Sequence, residues 1–281
     1  MSQAGSGLWN RFPVSARAIV SGLLVGLTGA NVWSLFLIGL GPQVSAVVCE
    51  TLFLIIYLAW TRGMGPPAWT QSARRSAARV GRLSVAQWTW GLIAAIAFPI
   101  SVHAALIVLF RLTPFPAAAF HQGYDLSAAP DRFAQWLVVI IAAASAGICE
   151  ETGFRGYLQR PIEDRHGPGL AILISAVLFT LFHMNKTWMV SGMTPLVFGA
   201  GLLLGLIAWS SRSLIFSIIG HTLMDIGLFA YWWSQVAGVF SARTIFQAGV
   251  DSPFLIACAV LLVAVAATLT AVWRLARGGS N

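Results

Sequence analysis

Charge is what this 281-residue sequence has least of: 9% of its residues are charged and 58% are hydrophobic. A soluble domain carries about 25% charged residues and needs them to cover a water-facing surface. Their scarcity excludes an ordinary soluble domain and points to helices dissolved in lipid. Cysteine is also scarce. Cys49, Cys149 and Cys258 lie in separate apolar runs without C-x-x-C spacing, which excludes a disulfide framework or a cysteine zinc site. Lysine is nearly missing, with Lys186 the single one among 17 cations. The net charge of +8 would suit nucleic acid, but the arginines sit in short loops between apolar runs and form no basic groove with interleaved aromatics. No internal repeat is visible. The first apolar run begins near Arg17 and lacks an A-x-A exit, so it reads as a first span and not as a cleaved signal peptide.

What is present is a series of apolar runs. A spanning helix needs about 20 mostly apolar residues. Eight runs qualify, at 18–40, 44–60, 85–110, 133–158, 170–190, 194–209, 214–233 and 254–272, the sixth being the shortest. The expected fold is an all-α membrane bundle of about eight transmembrane helices, one transmembrane domain over 1–281. With the N-terminus in the cytoplasm, 13 cations fall at cytoplasmic ends and 4 (Arg111, Arg132, Lys186 and Arg243) on the other side. That excess is the positive-inside pattern, and eight spans return the C-terminus to the cytoplasm. The 62–84 connection carries Arg74, Arg75, Arg79 and Arg82 at helical spacing, which predicts a short basic helix on anionic headgroups or a basic loop. Gly22-x-x-x-Gly26 and Gly201-x-x-x-Gly205 allow close helix contacts, but such patterns arise often by chance in glycine-rich spans.

An ionisable group inside a span costs about 2.5 kcal/mol or more, so it marks a candidate site. The candidates are Glu50, His103, Glu150, Glu151, Arg155, His183, His221 and Asp225. Glu151 and Arg155 are four apart and share a helical face, so the guanidinium can neutralise Glu151. Glu150 lies about 100° round the same helix, free to face a cavity and act as a general base on water. The same carboxylates would also fit an ion-pair cluster that only locks helices, and the residues alone leave both readings open. Phe179 and His183 are again four apart, as are His221 and Asp225. Convergence of three spans on one cavity would explain all these costs together. Glu50 and His103 stand outside the pattern and read either as partners that support the site or, by preference, as plain polar contacts. Cys149 with His183 is a rival nucleophile pair, against which the adjacent carboxylates argue. Gly123-Tyr124-Asp125 falls in a loop, not in a span as an aspartyl site would require.

Glu-Glu-x-x-x-Arg at 150–155, Phe-x-x-x-His at 179–183 and His-x-x-x-Asp at 221–225, in this order on successive spans, resemble the CAAX protease and bacteriocin-processing family. That family includes the type II CAAX prenyl endopeptidases, the glutamate intramembrane proteases, and the resemblance covers about 133–233. It implies peptide-bond hydrolysis near a membrane-anchored substrate end. Glu150 would activate water with help from His183, His221 and Asp225 would stabilise the oxyanion, and Glu151, Arg155 and Phe179 would support them. Many members have Asn where this chain has Asp225. A carboxylate donates poorly, so Asp225 would instead orient His221. The resemblance favours catalysis without a cofactor; a zinc alternative would use Glu150, His183 and His221.

The expected partners are membrane lipid and a membrane-associated peptide or protein, not nucleic acid. The arginine-rich, lysine-poor composition points to a bacterial cytoplasmic membrane. Two other readings use the same residues: a proton-coupled transporter or channel relaying protons through Glu150, Glu151 and Asp225, and a non-catalytic membrane partner or immunity protein. One geometric difficulty remains for the protease. On straight helices His183 lies deeper than Glu150 and His221, which tilt or a longer fourth helix would correct.

Overall fold

The structure is a computed structural model and describes residue 7 and residues 9–79, 81–121, 126–184 and 192–278. Lys186, the tripeptide at 123–125 and the end of the predicted 170–190 span lie outside the described residues. Among the described residues there are helices and no strand. Seven helices are long and apolar enough to cross a membrane: α1 (Val14–Leu40), α2 (Val44–Thr61), α4 (Val85–Leu112), α5 (Arg132–His166), α7 (Met193–Ser211), α8 (Ile215–Trp233) and α9 (Ser252–Gly278). The eighth predicted run appears as α6, Pro168–Phe182, an apolar helix of 15 residues. A seven-residue helix, α3 (Gln71–Ala77), lies in the connection between α2 and α4. The shortest predicted run, 194–209, is the full helix α7.

Local chemistry sets the ends. Ser84 and Gln87 form a reciprocal capping box that starts α4. The Asp131 carboxylate accepts from the Ala134 N–H at the start of α5. Gly167, with φ of 86°, makes the turn after α5, and Pro168 opens α6. Pro99 interrupts the ladder of α4, and the Ser101 hydroxyl donates to the Phe98 carbonyl at 2.6 Å beside it.

Large aliphatic side chains face outward, among them Ile38, Ile56, Leu262 and Val263, as a lipid-facing surface requires. The interior is lined by small residues such as Ala94, Ala95, Ala143 and Ala176, which let backbones approach. α9 lies along α4, α8 packs between α5 and α4, and α7 packs on α6. α1 lies against a π-helical stretch of α5, Thr152–Gln159. The Gly22 and Gly26 pair matters here. A Cβ at Gly22 would stand 2.5 Å from the Leu158 Cβ, and one at Gly153 would stand 2.6 Å from the Gly26 Cα.

The connection from 62 to 84 corrects the expectation of a wholly headgroup-facing basic segment. Arg74 is buried, and its guanidinium donates to the carbonyls of Trp60, Met64, Gly65 and Pro67 at 2.7–3.2 Å. It closes the C-terminal end of α2, where carbonyls lack helical partners. Arg79 is buried too, whereas Arg62, Arg75 and Arg82 are exposed. Arg155, counted above as a loop cation, is fully buried and carries no topological weight.

Candidate active site

Glu150 and Glu151 occupy the last α-helical turn of α5, before its π-helical stretch. Such widened turns are frequent at functional sites. Glu151 is fully buried and pairs with Arg155 at 2.8 Å, as their spacing predicts. The Arg155 guanidinium also donates to the Gly201 carbonyl at 3.1 Å and lies 4.5 Å from the centre of the Phe179 ring. Thus one buried cation meets a carboxylate, a backbone dipole and a π face on three helices.

α6 stops at Phe182, and the chain turns at His183 with φ of −92° and ψ of 8°. This turn folds the imidazole back on its own helix. His183 Nδ1–H donates to the Phe179 carbonyl at 2.8 Å, and the two rings lie 4.4 Å apart. The Nε2 edge then faces Glu150, 3.6 Å from Oε2. Phe179 also meets His221 edge-on at 5.9 Å, so it touches three of the polar groups.

His221 and Asp225 project from one face of α8. Glycine permits the approach of α8 to α5: a Cβ at Gly147 would fall 2.3 Å from the Thr222 Oγ1. One turn further along α5, Glu151 Oε1 accepts from His221 Nδ1–H at 2.8 Å. His221 Nε2 lies 3.5 Å from Asp225 Oδ2 and 3.9 Å from Glu150 Oε2. Glu151 thus holds Nδ1, and Asp225 stands beside Nε2 at the cavity.

Glu150, His183, His221 and Asp225 all line one cavity of about 410 Å³. Ser145 and Asn31 add polar groups, while Leu106, Leu196 and Leu228 make an apolar wall. The depth difficulty dissolves because α5 runs on to His166 and α6 ends at the level of Glu150. Cys149 is buried with Leu54 and Tyr57 in a separate apolar cluster. Glu50 accepts from the Ser145 hydroxyl at 2.6 Å. His103 lies 3.2 Å from the Met224 carbonyl through Nε2 and accepts from Trp232 Nε1 at 3.2 Å. Both contacts join neighbouring helices, and Ser145 itself lines the cavity. Among the described residues, no group of three His, Cys, Asp or Glu side chains has the arrangement of a metal site.

Residues 132–227 match the model of the Rce1-like type II CAAX prenyl endopeptidase family. Over these residues the chain is similar to that family. That is a family of membrane proteases, and the match spans Glu150, Glu151, Arg155, Phe179, His183, His221 and Asp225. It agrees with the extent read from the three motifs. No curated protein and no solved structure matches the chain. Sequence reasoning missed Gly147, Gly153, Arg79, Gln159 and Glu163, all of which shape the helix carrying the two glutamates. Gln159 Nε2 donates to Glu163 Oε1 at 2.7 Å and to the Gly205 carbonyl at 3.0 Å. The only forewarning was the glycine spacing at 201 and 205, where bare backbone accepts from Arg155 and Gln159.

Proposed function

We propose that this Rce1-like protein is an intramembrane endopeptidase that hydrolyses a peptide bond near a hydrophobic or membrane-anchored substrate end, with water activated by Glu150. The observation that carries the reading is the pair formed by Glu150 Oε2 and His183 Nε2. With Nδ1–H committed to the Phe179 carbonyl, a neutral His183 presents a lone pair at Nε2. Two acceptors 3.6 Å apart cannot bond to each other, but one water can donate a hydrogen to each. Its oxygen lone pair is then turned toward the cavity. Glu150 takes the proton as the carbonyl carbon is attacked and returns it to the departing amine. His221, in its imidazolium form, donates from Nε2 to the oxyanion while Nδ1–H stays on Glu151. Asp225 balances that charge or, when protonated, donates as well. The apolar wall accommodates the greasy part of the substrate.

Mass spectrometry of membrane-protein termini tests this, comparing cells that express the intact protein or Glu150→Gln at equal levels. New termini are expected only with the intact protein, and they name the substrate. Identical termini, under conditions where loss of the gene has a phenotype, would sink the hydrolase reading. Cleavage by purified protein that a chelator abolishes would move the water from Glu150 to a metal held with His183 and His221.

A further inference from the structure

The connection between α2 and α4 lies outside the family match, yet it grips the helix that carries the site. Arg79 has φ of 49°, a left-handed conformation that side chains other than glycine seldom adopt. The conformation accompanies an inward side chain, 1% exposed. Its Nε and Nη2 donate to the Arg155 carbonyl at 3.3 and 3.1 Å, and Nη2 also reaches Glu163 Oε1 at 2.7 Å. The same Glu163 oxygen accepts from Gln159, which is bound to α7 through the Gly205 carbonyl. The segment can lie this close only because of Gly156, whose Cβ would stand 2.7 Å from the Ala77 carbonyl oxygen.

The residue seized through its backbone is the one whose side chain neutralises Glu151, and Glu151 holds His221. We infer that Arg79 is a positioning residue of the proposed proteolytic site: its guanidinium clamps the Arg155 peptide within the π-helical stretch and so fixes the Arg155–Glu151–His221 line. Arg79 touches neither the cavity nor the reacting atoms. Its loss therefore alters how well the site is aligned, not how the substrate is held. The inference rests on the proteolytic reading, and two separate readouts keep their failures apart.

The first readout uses full-length protein in detergent with an internally quenched peptide that ends in a farnesylated cysteine and three further residues. Arg79→Ala is expected to lower kcat by about 10- to 100-fold, the range that small misplacements produce, with KM little changed. Added guanidinium ion should restore part of kcat by entering the space left behind. Arg79→Lys, whose single ammonium cannot fork between both acceptors, should fall between and serves if the alanine variant does not fold. Arg82→Ala, at an exposed position of the same connection, should behave as the intact protein. Unchanged kcat in Arg79→Ala, or an equal loss in Arg82→Ala, overturns the inference.

The second readout needs no activity. With Cys49 and Cys258 replaced by serine, Cys149 reports on α5, because it is buried against Gly29 of α1 just ahead of the clamped stretch. Arg79→Ala should speed its reaction with a small maleimide several-fold. If the intact protein cleaves neither this probe nor any membrane protein in the comparison of termini, the proteolytic reading fails. The clamp is then judged on Cys149 alone, and unchanged labelling overturns it.

Discussion

Arg155 and Glu151 are each fully buried, so the pair offers a sharp separation of stability from chemistry. Arg155→Met keeps much of the side-chain length but leaves the Glu151 carboxylate without its cation. Breaking a buried pair from one side costs about 3–5 kcal/mol. The lower end, about 3 kcal/mol, is expected here, because an unfolded chain in a membrane also finds polar partners. That is a change of roughly 150-fold in the ratio of folded to unfolded protein. Adding Glu151→Leu removes the stranded charge. Apolar replacement of a whole ion pair is often neutral or better, but the Gly201 carbonyl and His221 Nδ1 would each lose a partner, worth about 1–3 kcal/mol when buried. The double variant should therefore regain part of the loss without reaching the intact protein. Titration with a denaturing detergent, followed by the fluorescence of the 12 tryptophans, measures both. Cleavage should stay absent in the double variant although part of its stability has returned, since His221 Nδ1 has then lost its acceptor. Undiminished stability in the Arg155→Met single variant refutes the burial of the pair. A double variant that cleaves normally refutes the role of Glu151 behind His221.

Two further outcomes follow from contacts away from the cavity. Gly153→Ala places a methyl 2.6 Å from the Gly26 Cα and 2.7 Å from the Gly22 carbonyl oxygen, both backbone that cannot move alone; overpacking of this kind costs about 1–3 kcal/mol or more. Gly199→Ala, with nothing within 4 Å, should be neutral or slightly stabilising in the same titration. At the start of α9, the Asp251 carboxylate takes both Arg111 terminal nitrogens at 2.9 and 3.0 Å and the Phe254 N–H at 3.0 Å, which holds its carboxyl below the usual carboxylate range. A carboxyl lowered by folding stabilises above its unfolded value and loses that contribution as pH falls through its folded value. Stability measured from neutral pH downward should thus fall more steeply in the intact protein than in Asp251→Asn below roughly pH 4. Parallel curves would show that the Arg111 contact contributes nothing.

The parts of the fold legible in the sequence are those set by spacing along one helix. Apolar runs placed the spans, with α6 shorter than its run, and the four-residue intervals placed Glu151 with Arg155, Phe179 with His183, and His221 with Asp225. What spacing could not show is which backbone carbonyls a side chain finds on another helix. Arg74 and Arg79 look like their exposed neighbours Arg75 and Arg82 because all four share one local pattern. Arg74 turns toward the carbonyls that end α2, and Arg79 turns toward the π-helical stretch of α5. Glu151 was likewise legible as the partner of Arg155 but not as the partner of His221, since that contact depends on the closeness of α5 and α8 at Gly147 and Thr222.

The same geometry explains why the two adjacent glutamates do not compete for one role. Glu151 points into the bundle, where Arg155 and His221 Nδ1 use its carboxylate, and its charge is spent on holding other groups. Glu150, rotated toward the cavity, meets the imidazole edges of His183 and His221 at the longer distances of 3.6 and 3.9 Å. Glu151 is fully buried and stands outside the cavity lining, whereas Glu150 is part of it. Exchanging the pair's duties would also require turning α5 by about 100°, against the contact of Gly153 with Gly22 and Gly26 and the clamp on the Arg155 carbonyl. The packing of α1 and the connection from 62 to 84, both outside the matched family segment, thereby help hold Glu150 toward the cavity.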